Sequence, residues 1–167
     1  MAESARIRDL SEQLVHALSA AGKTVTTAES CTGGWIAKAI TDIAGSSAVF
    51  AYGIVSYSNG AKESLLGVNP QTLIDNGAVD RITVAEMAEG AIKLSGADFS
   101  VAVSGIAGPD GGSDDKPLGT VCFAWSERSG EKINTDTDRQ HFDGDRDAVR
   151  RQSVLHALAG IQDRLRA

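Results

Sequence analysis

Glu29-Ser30-Cys31 places a carboxylate, a hydroxyl and a thiol side by side, with Thr32-Gly33-Gly34 directly after them. A hydroxyl or thiol in such a place is a candidate nucleophile for acyl transfer. The run before it, Thr24-Val25-Thr26-Thr27, is β-branched and prefers extended backbone, while Trp35, Ile36, Ala39, Ile40 and Ile43 recur at helical spacing after it. Ser30 is therefore expected near a helix N-terminus. There the first-turn amides lack partners and the helix dipole is positive, so a developing oxyanion or a phosphate is stabilised. The plainer alternative is that Ser30 or Thr32 caps the helix while Gly33 and Gly34 permit the turn.

A serine nucleophile needs a base, and the three histidines are poor candidates. His16 and His156 fall in amphipathic helical patterns, His16 on or beside an apolar stripe where it reads as a partly buried packing residue, and His141 lies in a polar edge segment. Lys62 is the available alternative, just beyond a strand end that carries Tyr57. A lysine screened from water and near positive backbone dipoles loses its proton more easily, and its neutral amine can then accept the hydroxyl proton. A different arrangement uses Cys31 with Glu29 and Lys62, as in a cysteine amidase, because a thiolate is favoured at a helix N-terminus. The glycine-rich stretch Ser104–Ser113 follows a strand, as a phosphate-binding loop would. It lacks the Walker pattern, since Lys116 stands between Asp115 and Pro117.

The elements that must position these groups follow from periodicity. Ile7, Leu10, Leu14, Ala17, Leu18 and Ala21 predict a helix over 5–21, ended by Gly22. Val49–Tyr57 reads as a largely buried strand, and Ser58–Lys62 as a turn leading into a short helical piece, 62–66. Asn69-Pro70 opens another helix that Gly77 closes. Val84, Met87, Ala88, Ala91 and Ile92 predict a helix over 80–94, capped by Asp80 and stopped by Gly96. Strands are expected at Phe99–Val103 and Thr120–Trp125, followed by a polar edge strand ending near Phe142 and a last helix opened by Asp143–Arg146. Alternating helices and strands predict an α/β fold, a three-layer α/β/α sandwich on a mixed sheet.

A chain of 167 residues supports one core, and a single domain over 1–167 is expected. The net charge of −6 and the lack of a basic run argue against nucleic-acid binding by phosphate neutralisation. No continuous apolar segment suggests a leader or a membrane span, so the expectation is a cytoplasmic protein with no membrane partner. Cys31 and Cys122 lie in different elements without ligand spacing, which predicts neither a zinc site nor a disulfide.

Several strings together carry a family resemblance: Ala28–Gly34, Gly45-Ser46-Ser47, Tyr57–Lys62, Gly77-Ala78-Val79, Ser104–Gly112, Lys116–Val121 and Gly144-Asp145-Arg146. In this order they resemble the CinA C-terminal domain family, and within it the stand-alone nicotinamide-nucleotide amidases. Ser104 stands where many relatives carry threonine, and Asp80 where serine is common. The resemblance implies hydrolysis of the carboxamide of nicotinamide mononucleotide to nicotinic acid mononucleotide and ammonia, in pyridine nucleotide salvage, with no metal or organic cofactor. It implies Ser30 as nucleophile, Lys62 as general base and Tyr57 assisting proton traffic. The oxyanion is assigned to amides near Cys31 or Gly105, with Gly33 in the same turn and Ser46 or Ser47 joining the proton network. Substrate phosphate and ribose are assigned to Asn59, Arg146 and the loop of Ser104, Gly105, Gly108, Gly111 and Gly112. Glu29 either orients Lys62 or bonds neighbouring backbone. A homodimer is expected from how commonly such enzymes self-associate. The alternative from another class is a non-catalytic member that binds a nucleotide or a protein.

Overall fold

The sheet is written in the alternation of strand β3, Phe99–Gly105. Phe99, Val101 and Val103 face one way, and Ser100, Ala102 and Ser104 face the other. The first face accepts large side chains; the second lets a helix come close. The computed structural model describes residues 2–167 and builds both layers around one five-stranded sheet. Its order is β2-β1-β3-β4-β5, with β1 Val25–Glu29, β2 Ile54–Val55, β4 Thr120–Ser129 and β5 Lys132–His141. β1 runs parallel to both β2 and β3, whereas β3, β4 and β5 are antiparallel, so the sheet is mixed as expected.

On the bulky face lie helices α1 (Ala2–Ala21), α2 (Trp35–Thr41) and α6 (Arg146–Arg166). Leu14, Leu18, Ile36, Ile40, Leu158 and Ile161 pack there against Val101, Phe123 and Trp125. On the other face lie α3 (Asn59–Leu66), α4 (Pro70–Asn76) and α5 (Arg81–Ser95), which bury Leu66, Leu73, Met87 and Ala91 over Ala28, Ala102 and Ala124. The close approach is visible in polar contacts as well: Ser100 Oγ donates to Ala88 O at 2.7 Å. α3 and α5 meet where a Cβ on Gly90 would sit 1.9 Å from Leu66 O. The caps at Asp80, Asn69 and Asp145 each accept a first-turn amide, as the sequence led one to expect. Among the described residues no helix is long and apolar enough to cross a membrane.

Three expectations are corrected. The buried strand expected over 49–57 is reduced to Ile54–Val55 and a single bridge from Val25 to Phe50. β2 is an edge, so Tyr52, Val55 and Tyr57 are exposed there. Between the two pairings Thr26 Oγ1 donates to Tyr52 O at 2.8 Å, replacing a ladder bond, and Gly53 passes where a Cβ would lie 2.2 Å from Thr27 Oγ1. Helix α3 starts at Asn59 rather than at Lys62, because Ser58 caps it by accepting the Ala61 amide. His16 is exposed, since the buried face of α1 runs through Ile7, Ser11, Leu14, Val15 and Leu18.

Candidate active site

β1 hands the chain to β2 on one side, while β3 lies on its other side, and this reversal opens a crevice at the carboxyl ends of the parallel strands. Ligands of open α/β sheets bind at such switch points. Ser30 stands at this point as the residue after β1. Its amide donates to Val103 O at 3.0 Å, and its carbonyl accepts from Gly33 N at 3.0 Å, so both neighbours of the crevice fix its backbone. β2 is pinned alongside by Ser56 N donating to Glu29 O at 2.9 Å.

Lys62 reaches Ser30 because of where α3 begins. Side chains of a helix tilt toward its N-terminus, and Lys62, in the first turn, projects back past that end. Its Nζ lies 3.0 Å from Ser30 Oγ, 2.9 Å from Ser56 O and 3.5 Å from Tyr57 O. The residue is 1% exposed, and among the described residues no carboxylate is bonded to it. Burial pushes the ammonium below the ordinary lysine range, and the positive end of α3 acts in the same direction. A neutral amine has two N–H groups and one lone pair. As the ammonium, Lys62 donates to Ser30 Oγ; once neutral, with its two N–H groups on the carbonyls of Ser56 and Tyr57, it would turn its lone pair to the Ser30 hydroxyl.

Glu29 is fully buried, and both of its oxygens are engaged elsewhere. Oε1 accepts from Ile36 N and Thr32 Oγ1 at 2.8 Å each, and Oε2 accepts from Ala37 N at 2.9 Å. Of the two roles expected for it, Glu29 takes the bonding of neighbouring backbone, and neither oxygen bonds Lys62. It caps α2 from the preceding strand, while the formal cap, Gly34, offers no side chain and neither Ser30 nor Thr32 takes that position. Burial raises the Glu29 carboxyl above its usual 4.5, and the amides of Ala37 and Ile36 pull it back.

Cys31 also departs from expectation. α2 starts at Trp35, so Cys31 precedes the helix instead of opening it, and its side chain is buried in the apolar layer with Ile36 and Val103. Burial pushes the thiol up to about 12, which keeps it protonated near neutrality. A thiol in this state is a poor nucleophile. Cys31→Ala is expected to change turnover by no more than about threefold, at a stability cost of about 1 kcal/mol for the lost buried contact; parallel steady-state and thermal-melting measurements check both.

Ser47 is the clearest displacement. The short turn Ser46–Ala48 leads to Val49, whose carbonyl accepts from Val25 N at the start of β1. Ser46 and Ser47 thus lie at the opposite end of the strand from Ser30 and take no part in its surroundings. Asn59 is exposed at the start of α3, and Ser104 and Gly105 end β3 beside the crevice. Beyond them the loop passes Gly108, Gly111 and Gly112. At Gly112, with φ of 89°, a Cβ would press 2.9 Å against Leu118 N. Arg146 joins loop to rim: Nη1 donates to Gly108 O at 2.7 Å and Nη2 to Tyr57 Oη at 3.0 Å. Tyr57 is 60% exposed, and its carbonyl rather than its hydroxyl meets Lys62. Two contributors carried no sequence signal. Ser56 acts through its backbone carbonyl, and Arg150 holds the carbonyls of Cys31 and Thr32 from a helix more than a hundred residues away. Gly33 lies in that turn with φ of 61°.

Fold and site define a class: mixed-sheet α/β proteins in which a buried amine touches a serine hydroxyl at the switch point. Residues 7–165 match the CinA C-terminal domain, and the chain belongs to that family. It is 59% identical over 152 residues to the nicotinamide-nucleotide amidohydrolase PncC of Escherichia coli K12, covering 91% of this chain and 90% of that one. A CinA-like protein of Geobacter sulfurreducens is 51% identical over 144 residues, covering 86% of this chain and 34% of that longer one. Among solved structures, the competence damage-inducible protein A of Klebsiella pneumoniae superposes with a TM-score of 0.90 at 42% identity, covering 95% and 96% of the two chains.

Proposed function

We propose that the protein hydrolyses the carboxamide of nicotinamide mononucleotide to nicotinic acid mononucleotide and ammonia, a salvage step, with Ser30 as nucleophile and Lys62 as its base. The 3.0 Å approach of a buried, charge-averse amine to the Ser30 hydroxyl carries this reading. The names of the relatives that cover nearly the whole chain supply the substrate.

Lys62 takes the Ser30 proton as Oγ adds to the amide carbon, and the carbonyl π electrons move onto oxygen. Collapse of the tetrahedral intermediate expels the amide nitrogen, which leaves as ammonia with the proton carried by Lys62. Water then attacks the Ser30 ester under the same base, releasing the carboxylate and restoring the hydroxyl. Every proton is moved by one amine, so no histidine is required. His156 is committed to Asp138, and His141 meets Leu118 O. In this reading Tyr57, Arg146, Asn59 and the loop from Ser104 to Gly112 serve the ribose and phosphate, Arg146 offering a fork suited to the latter.

The test is ammonia release from nicotinamide mononucleotide by protein pretreated with a chelator. Turnover unchanged by the chelator and yielding nicotinic acid mononucleotide is the expected result. A folded protein that binds the nucleotide without releasing ammonia would reject the amidase reading.

A further inference from the structure

Resting on the serine amidase reading, we propose that Arg150 is a positioning residue that sets the Thr32 backbone N–H as a donor to the oxyanion. The trans peptide is planar, so its C=O and N–H point in opposite directions. Arg150 Nε donates to Cys31 O at 3.0 Å and Nη2 to Thr32 O at 3.1 Å. Both carbonyls are thereby turned toward α6, and the amides of the same peptide units, those of Thr32 and Gly33, are turned away from it. The Gly33 amide closes the turn on Ser30 O. Among the described residues the Thr32 amide has no acceptor, whereas the Ser30 amide is consumed by Val103. The amides of Cys31 and Gly34 likewise have no acceptor among the described residues, but that of Thr32 is the unpaired one whose own peptide carbonyl Arg150 holds, two residues after the nucleophile.

The clamp is itself held. The guanidinium carbon of Arg150 sits 5.4 Å from the centroid of the Trp35 ring. Arg150 also lies one turn after Arg146, so a single face of α6 supports the Ser30 loop from behind and Tyr57 at the entrance. Behind the loop is an open cleft of about 640 Å³ lined by Ile7, Arg8, Gly33, Trp35, Lys38 and Arg150. A small guanidinium ion can therefore reach the place of a deleted Arg150 side chain from solvent.

The experiment compares the full chain with Arg150→Ala and Arg150→Lys in two assays. One is ammonia release from nicotinamide mononucleotide; the other is labelling by a fluorophosphonate, in which Ser30 Oγ bonds to phosphorus, fluoride leaves and the phosphoryl oxygen occupies the oxyanion position. Losing a preorganised oxyanion donor costs about 100-fold in kcat. Arg150→Ala is expected to show that loss with KM within about threefold, and a comparable slowing of labelling. Added guanidinium ion should restore at least about tenfold of each, and Arg150→Lys should fall between parent and alanine variant. A folded Arg150→Ala within about threefold of the parent in both assays overturns the proposal. So does a rise in KM at constant kcat, or a loss in a variant of unchanged melting temperature that guanidinium does not reverse. Should Arg150→Ala not fold, Arg150→Lys decides by the same kcat and labelling criteria. A parent that labels at Ser30 but does not deamidate the mononucleotide refutes the substrate reading and leaves the clamp to be judged by labelling alone. A parent that does not label at Ser30 refutes both.

Discussion

Lys62→Met is expected to lower kcat/KM for nicotinamide mononucleotide by about 1,000- to 10,000-fold while the protein stays folded. Methionine keeps an unbranched apolar side chain one atom shorter than that of lysine and has no basic nitrogen to take the Ser30 proton. Loss of the amine leaves the carbonyls of Ser56 and Tyr57 without that donor, and relief from burying a polar head offsets the cost. The net change in stability is expected to be within about 2 kcal/mol, read from the urea midpoint. The same group fixes the pH dependence. In the proposed mechanism the neutral amine is the base, so below the folded pKa of Lys62 the active fraction falls tenfold per pH unit. An ordinary lysine would place that limb near 10.5; burial moves it lower. kcat/KM should therefore rise with pH along a limb below 10.5 and level off, and Lys62→Met should show no such limb in its residual rate. Retention of most of the activity by Lys62→Met would remove lysine from the mechanism.

Glu29→Ala should act first on stability. The carboxylate holds the buried amide of Ile36, the amide of Ala37 and the Thr32 hydroxyl, and among the described residues no other side chain caps α2. Charge-assisted bonds of this kind contribute roughly 1.5–3 kcal/mol each and are not additive, so a loss of about 4 kcal/mol is expected. Glu29→Gln keeps one acceptor oxygen but sets its own NH₂ against a backbone N–H, for a loss of about 2 kcal/mol. Denaturant titrations with unchanged slope measure both. Because Thr32 belongs to the same network, turnover should fall with stability. A Glu29→Gln protein as stable as the parent, with only KM raised, would return Glu29 to the role of substrate ligand.

The sequence revealed elements wherever a signal was local. α5 could be read from Asp80, Gly96 and the stripe between them, and α6 from Asp145 and its apolar positions. The strand-to-helix seam at Ser30 was visible because β-branched residues give way to helical spacing there. The apolar run Val49–Tyr57 predicts a longer strand than β2 because it looks the same in a central strand as at an edge, and only the strand order tells them apart. Long-range geometry was less legible. Glu29 bonds amides seven and eight residues ahead only because the chain reverses through Gly33 and Gly34. Ser47 looked like a neighbour of Ser30 because Gly-Ser-Ser resembles part of a family motif, yet the crossover through α2 carries it to the far end of β1. Arg150 and the Ser56 carbonyl belong to no motif, since one acts across the fold and the other through its backbone.

The nucleophile is the centre of the account, and it is tested most directly by ammonia release from nicotinamide mononucleotide measured side by side for the parent, Ser30→Ala and Cys31→Ala, each shown to be folded by thermal melting. The expected result is a loss of at least about 10,000-fold in Ser30→Ala and near-parental turnover in Cys31→Ala. Turnover surviving in Ser30→Ala and vanishing in Cys31→Ala would contradict it and assign the chemistry to the buried thiol.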